Sequence, residues 1–533
     1  MIRHGLNLNF NVDIKWHLTW IQHFSQQLSE GILYPRWLAG TNYGYGSPTF
    51  VFYPPFVYYL GSFLKLSGLN IQDTVITLFS SALFLSGLTF YIYGRNKWGR
   101  IAALVGGFVY MTSPYIALDI YWRGGLASIF VQVWIPLLWW LTEQSFSGKK
   151  WRLGLAICWT IIALTHTPSL LLCAVVWLLY TLFFLLNKPW KAVVETILSA
   201  GVGWGIASFY LLPAILEKRF VNIEVMRGVV GGVKLNLFNL TQLFNLIQIG
   251  FHVAYIFLHQ FLAIALLIMI AFVFCRRQSA VLQETCHWSI FALTLTFFMS
   301  SWSEFIWQAS PTLQMVQFPW RLLQIFSFIG AALCATVFSG ILKLRLPPRL
   351  LLSLVIAGIL LMNFRYSYKW SNKYIALRNP GRANLEHLQD IKTIMNDPYT
   401  GKLRDVEEYR PLLKNGSSSP PVPLIGQPKI SVVSGQAKIS IQQWQSYNRI
   451  FSVTTEKPSQ IKIRTYYYPA WRIYLNQKPY PLSMANDGTI ELNLNPGEYT
   501  VRLFYSWTYP FILGIIISIF SIIILSTYWY KFA

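Results

Sequence analysis

Apolar residues fall into long, almost uninterrupted runs over most of the chain and into strict alternation near its end. Crossing a hydrocarbon core of about 30 Å takes about 20 residues of helix. Ten runs suit that length before the alternating region: 72–93, 100–118, 126–146, 152–167, 168–187, 192–216, 251–274, 286–303, 320–342 and 349–366. An eleventh, 508–530, closes the chain. The fourth and fifth meet at Thr165-His166-Thr167-Pro168, which leaves room only for a very tight turn. From about residue 428 the period becomes two, in Ile430 and Val432, Ile439 and Ile441, Ile461 and Ile463, Ile490, Leu492 and Leu494, then Tyr499, Val501 and Leu503. Asn486-Asp487-Gly488 and Asn495-Pro496-Gly497 supply turns. The pattern predicts a polytopic α-helical membrane protein with about eleven transmembrane helices over 72–366 and 507–533, and an antiparallel β-sandwich over 428–506. A polar connector, 367–427, holds a possible helix near 384–396 and a linker at Ser417-Ser418-Ser419-Pro420-Pro421. Residues 1–71 precede the first run, and their aromatic stretch 50–66 is expected to lie at the membrane interface.

Composition agrees: the 533 residues are 54% hydrophobic and only 12% charged, with a mean hydropathy of +0.43. Trp and Tyr, 22 and 30 of them, suit the belt where bilayer meets water. The net charge of +23 is scattered in short clusters between apolar runs, which argues against nucleic acid as a partner and for topology determinants. Arg95, Lys97 and Arg100, Lys149, Lys150 and Arg152, Lys188 and Lys191, Arg276 and Arg277, then Lys343, Arg345 and Arg349 occupy alternate loops, and Lys531 follows the last run. Those loops are expected to be cytoplasmic, which places 1–71, 217–250, 304–319 and the β region outside. Met1 then lies outside with no apolar run before residue 50, so one further helix is expected ahead of it. The five cysteines all lie in or beside apolar runs and read as buried small hydrophobes.

Charged groups at membrane depth are costly unless they face a cavity or a partner. Asp13 and His17, four apart, share a helix face and could pass a proton. Arg36, Tyr53, Asp119, Arg123, His166, Arg219 and Arg321 fall on the same expected side and are candidates for binding a substrate phosphate. The turn-rich Gly40–Pro48 loop could line a pocket. No Walker loop, Rossmann glycine pattern, HExxH or GxSxG is present. No cofactor is expected, and a requirement for a divalent cation is not readable from these residues.

The stretches Asp13-Ile-Lys-Trp-His17, Tyr34-Pro-Arg-Trp37, Gly44-Tyr-Gly-Ser-Pro48, Phe52-Tyr-Pro-Pro55, Tyr121-Trp-Arg123, Leu164-Thr-His-Thr-Pro168, Gln317-Phe-Pro-Trp-Arg-Leu322, Glu408-Tyr409-Arg410-Pro411 and Tyr468-Pro-Ala-Trp471 together cover nearly the whole chain. They resemble the bacterial membrane proteins labelled 6-pyruvoyl-tetrahydropterin synthase-related, neighbours of the YfhO-like proteins, which look like GT-C glycosyltransferases. Despite that label, the histidine cluster of a soluble pterin enzyme's zinc site cannot be assembled. The resemblance implies an inner-membrane enzyme moving a sugar from a polyprenyl-phosphate-linked donor on the outer face, with Asp13 as general base on the acceptor hydroxyl. Arg36, Arg123 and Arg321 would hold the donor phosphate. Where the family usually has a glutamate after Tyr121, this chain has Gly124-Gly-Leu-Ala-Ser128. Two other readings stay open: a lipid or glycan transporter whose path the same charges line, and an envelope-assembly protein whose β domain binds glycan.

Overall fold

The computed structural model describes residues 13–148, 150–183, 188–239, 250–376, 405–413 and 421–530. The expected helix near 384–396, the linker serines 417–419, Asn11, Val12, Lys149 and Lys531 lie outside them.

The chain begins with α1 (Ile14–Ser29), then α2 (Thr49–Phe52) and α3 (Phe56–Leu66). Eleven residues make α3 about 16 Å long, too short to cross a bilayer. The bundle follows: α4 (Ile71–Gly94), α5 (Arg100–Met111), α6 (Pro114–Leu118), α7 (Leu126–Ser145), α8 (Lys150–Ala163), α9 (Thr167–Phe183), α10 (Trp190–Ile206), α11 (Ser208–Leu216), α12 (Gly250–Phe274), α13 (Ser279–Met299), the short α14 (Glu304–Gln308) and α15 (Pro311–Gln314), α16 (Leu323–Ile341) and α17 (Leu346–Ala376). A C-terminal helix, Tyr509–Tyr530, follows the β domain. Among the described residues each of the eleven apolar runs is thus mainly helical. Among the described residues seven helices are long and apolar enough to cross a membrane, and α10 with α11, bent by 75°, makes an eighth if the pair is one span. The other three are α8, α9 and α13, of 14, 17 and 21 residues, and α13 carries Gln283, Glu284 and His287.

Helix α16 is buried along nearly its whole length, whereas α17 and the C-terminal helix expose most of theirs. Small residues and polar contacts join the helices, as they do where lipid removes the hydrophobic drive to associate. A Cβ on Gly203 of α10 would meet the Ala156 carbonyl of α8 at 2.4 Å. Gln260 donates to Ser327 at 2.8 Å, and Trp177 to Thr142 at 2.7 Å. Where α4 turns into α5, Lys97 lies 2.8 Å from Glu143 and 2.9 Å from Glu284, and Tyr93 and Tyr180 also donate to Glu143. That cluster joins four helices at one end of the bundle.

The β domain packs two antiparallel sheets. Its strands are β1 (Ile430–Ser434), β2 (Ala437–Trp444), β3 (Asn448–Thr455), β4 (Ser459–Tyr466), β5 (Trp471–Leu475), β6 (Lys478–Tyr480), β7 (Ser483–Met484), β8 (Thr489–Leu494) and β9 (Gly497–Tyr505). One sheet runs β1-β4-β8-β7 and the other β2-β3-β9-β5-β6. Phe451, Val453, Ile461, Ile463, Ile490, Leu492, Val501 and Leu503 fill the space between. Val432 and Ile441 sit on the edge strands and are exposed, so alternation there marks a face without a partner sheet.

The domain docks on the segment between α1 and α2. Trp37 is enclosed by Tyr468, Trp471 and Tyr505, with ring centroids 5.6–6.0 Å away, and its backbone N–H donates to the Tyr447 hydroxyl. Tyr45 packs on Tyr466, whose N–H donates to the Tyr45 carbonyl. The Gly40–Pro48 loop is therefore buried under the β domain. Gly46 has φ +81°, and a Cβ there would strike Trp37 at 2.4 Å. Buried Glu217, just after α11, accepts from Tyr468 of the β domain and Thr508 at the start of the C-terminal helix. A strap, 405–413, completes the junction. Its Asp405 accepts from Trp20 at 2.9 Å and Thr49 at 2.8 Å, and Asn222 donates to the Arg410 carbonyl.

Replacing Glu217 with Ala leaves two buried hydroxyls unpaired, so a loss on the order of 2–3 kcal/mol is expected, read as a lower thermal midpoint in detergent; an unchanged midpoint contradicts the latch. Burial holds His17 and His23 of α1 down at about 4. Both are neutral when folded but bind protons below about 6.5 when unfolded, so stability rises with pH between those values. Each contributes a loss on the order of 3 kcal/mol once pH falls to 4 or below. Unfolding midpoints measured from pH 7 to 4 should fall less steeply for His17→Asn than for the wild type.

Candidate functional site

The span that begins with α5 breaks at Ser113-Pro114, restarts as α6 and widens into a π turn over Asp119–Arg123. Such turns add a residue per helical turn and often mark functional places. Here the turn aims both charged residues inward, with Arg123 Nη1 3.0 Å from Asp119 Oδ1. Gly124 follows in the left-handed region, and a Cβ on Gly125 would lie 2.7 Å from Asp119 Oδ1. The chain can therefore close over the carboxylate only with glycine there. Ser128 lies beside Asp119 and Tyr115.

Asp13 occupies the N-cap of α1. Its N–H donates to the Arg123 carbonyl at 2.9 Å, and its carboxylate lies 3.6 Å from Arg123 Nη2. It makes no capping bond, so the carboxylate is free to face the site, and its side chain is 34% exposed. His17, one turn on, is buried with Nδ1 2.7 Å from the Tyr58 hydroxyl. Its low basicity makes it a neutral hydrogen-bonding group at physiological pH. Tyr53 packs beside His17, Trp20 and Tyr58. Burial and the Asp13 carboxylate push its hydroxyl upward, while Arg123 and Arg321 pull the other way, so all these groups share one neighbourhood.

Arg321 enters from a 3-10 turn, Pro319–Leu322, that leads into α16. Gln317, at φ +63°, bends the chain just before it. The guanidinium is 6% exposed, donates to the Val316 carbonyl at 2.5 Å and lies over Phe318, while its Nε has no partner. No carboxylate lies within ion-pair distance of it among the described residues. His166 stands at the tip between α8 and α9, its Nδ1 2.7 Å from Ser169, which donates to Gln324, one turn beyond Arg321. The tip is tied to the first residue of α3 by the Phe56 N–H on the Leu164 carbonyl.

The structure thus gathers Asp13, His17, Tyr53, Asp119, Arg123, His166 and Arg321. It does not bring in Arg36 or Arg219. Arg36 donates to the Ser506 carbonyl and stacks 3.7 Å from the Phe511 ring, so it serves the junction with the β domain. Arg219 is exposed on a 3-10 turn beyond α11. Tyr58, read from the sequence only as a depth marker, is the partner of His17. Glu408, on the strap, is a further carboxylate that sequence reasoning passed over within the Glu408-Tyr-Arg-Pro stretch. Among the described residues no three His, Cys, Asp or Glu side chains converge to hold a metal ion.

Chemically, two aspartates and two arginines balance in number but not in pairing. Arg123 is shared by both carboxylates, and Arg321 is left without one.

No curated protein matches the chain. The crystal structure of ArnT from Cupriavidus metallidurans bound to undecaprenyl phosphate is similar over 72% of this chain and 71% of that one, at 13% identity and a TM-score of 0.37. That likeness is too loose to transfer any residue or ligand. A family described as "6-pyruvoyl-tetrahydropterin synthase related domain; membrane protein" matches residues 50–371. That match takes in the π turn, the hairpin tip and Arg321 and runs over more than half of the 533 residues, so the chain belongs to this family of membrane proteins.

Proposed function

We propose that the chain is a GT-C-like glycosyltransferase that moves a sugar from a polyprenyl-phosphate-linked donor to an envelope glycan, lipid or protein acceptor on the outer face of the bacterial plasma membrane. The observation that carries this reading is Arg321, a buried guanidinium with no counter-carboxylate among the described residues, in the cluster where the partly exposed Asp13 lies 3.6 Å from Arg123. An unpaired buried cation is costly and calls for an anion. The phosphate of a lipid-linked donor is such an anion, and guanidinium suits it geometrically. The motif resemblance to GT-C-like proteins supports the same assignment.

In this reading the donor phosphate rests on Arg321 with Arg123 beside it, and its charge grows as the sugar departs. Asp13 takes the proton from the acceptor hydroxyl as oxygen attacks the anomeric carbon. His17, neutral and held by Tyr58, orients a hydroxyl without adding charge. The β domain and strap roof the site on the outer side, and the lysine- and arginine-rich loops face the cytoplasm.

Sugar transfer in proteoliposomes supplied with a polyprenyl-phosphate sugar tests the assignment. Asp13→Asn is expected to lower kcat about 10²-fold or more while donor binding persists. Arg321→Ala should cost a further factor on the order of 10²–10³, and Arg219→Ala should leave the rate unchanged. Wild-type turnover by Asp13→Asn contradicts the base assignment.

A further inference from the structure

We infer that Asp119 positions the general base by sharing Arg123 with Asp13, an inference that rests on the transferase reading above. The two carboxylates hold the guanidinium unequally. Arg123 Nη1 donates to Asp119 Oδ1 at 3.0 Å. Nη2 lies 3.6 Å from Asp13 Oδ2, close enough for an ion pair and too far for a hydrogen bond. Asp119 is fully buried, whereas Asp13 keeps an exposed edge. The tighter contact thus goes to the carboxylate behind the site and the looser one to the carboxylate that faces it.

The backbone maintains that difference. The π turn Asp119–Arg123 sets both side chains on one inward side. Gly125 closes over Asp119 so nearly that a Cβ would lie 2.7 Å from Oδ1, which leaves the carboxylate no room to swing away. The Asp13 N–H donates to the Arg123 carbonyl at 2.9 Å, so the start of α1 is fixed to the same turn. The guanidinium also lies over the Trp320 ring at 5.8 Å. Around Asp13 stand His17 and Lys15 of its own helix, Tyr53 and Tyr58, Arg321 from the turn before α16, and Glu408 of the strap. Among the described residues Arg123 alone is within ion-pair distance of it.

A carboxylate that has a guanidinium to itself is a weak base, because protonation must give up the pair. Asp119 takes up part of that cation's field and leaves Asp13 basic enough to act. It also matters after the proton has moved. The acceptor O–H bond breaks and its proton goes to Asp13. An O–C bond forms at the anomeric carbon, and the bond from that carbon to the donor phosphate oxygen breaks with its electron pair staying on phosphate. One negative charge is lost at Asp13 and one is gained at the phosphate. Arg123 then has Asp119 alone, and no buried cation is left uncompensated until Asp13 returns its proton to water. Asp119 touches no reacting atom, so it is a positioning residue.

Two measurements separate this role from packing: the pH profile of kcat in proteoliposomes, and an infrared titration of the Asp13 carboxyl, identified as the band that disappears in Asp13→Asn. Asp119→Asn preserves side-chain size and leaves Arg123 paired with Asp13. With the like charge gone, Asp13 should ionise about one pH unit lower than in the wild type. The acid limb of kcat should move down with it, and plateau kcat should fall roughly threefold as the base weakens, with KM for the donor unchanged. Combining Asp119→Asn with Arg123→Gln removes the pair as a neutral unit, and the Asp13 band should return towards its wild-type position. A band and a limb that stay at their wild-type pH in Asp119→Asn overturn the proposal, whatever the rate, as does a double variant that keeps the full shift of the single one. If the band moves as expected but the wild type transfers no sugar, the transferase reading falls, while the coupling of Asp119 to Asp13 through Arg123 stands.

Discussion

A guanidinium inside a membrane-spanning bundle has to be neutralised, and Arg123 is neutralised twice. Asp119 meets it from its own π turn, and Asp13 meets it from a helix that lies outside the spans. Breaking one partner of a buried pair costs far more than the pair itself contributes. The position of α1 is therefore set by the charge it must satisfy, and the backbone bond from Asp13 to the Arg123 carbonyl fixes it further. Once α1 is placed, Trp20 lies where Asp405 can accept from it, and the strap follows. The β domain then closes on Trp37 and Tyr45, in the segment that α1 leads into.

The same constraint explains why the second arginine is informative. Proteins rarely leave a buried guanidinium with only a carbonyl and an aromatic face for company. Arg321 has the Val316 carbonyl and Phe318, while Arg123, its neighbour in the cluster, has two carboxylates. A cluster arranged in this way is neutral overall, and in the proposed function it offers an anion a place at one end and a hydroxyl a base at the other.

The bundle was legible in the sequence because a bilayer forces helices to announce themselves by length and apolarity. The β-sandwich showed through its period of two, though β3, β5, β6 and β7 were passed over and alternating residues on the edge strands β1 and β2 faced outward. The shortness of α8 and the sharp bend between α10 and α11 were hidden, since apolar composition does not say where a helix stops. Of the nine candidate residues, the structure brings seven into one neighbourhood. Arg36 misled because proximity to Asp13 in sequence says nothing of what folds over it, and its partner Ser506 arrives 470 residues later. The strap was missed for the same reason, because a polar connector reads as a linker until the contacts of Asp405 with Trp20 and of Tyr409 with Phe52 are seen.

The claim on which the rest depends is that the Arg321 end of the site holds a lipid phosphate. Binding of a polyprenyl monophosphate to the purified protein in nanodiscs, followed by native mass spectrometry, measures it directly. Retention should drop at least about tenfold in Arg321→Ala, equivalent to about 1.4 kcal/mol, and stay at the wild-type level in Arg219→Ala. Equal retention by Arg321→Ala and the wild type would contradict the site as described.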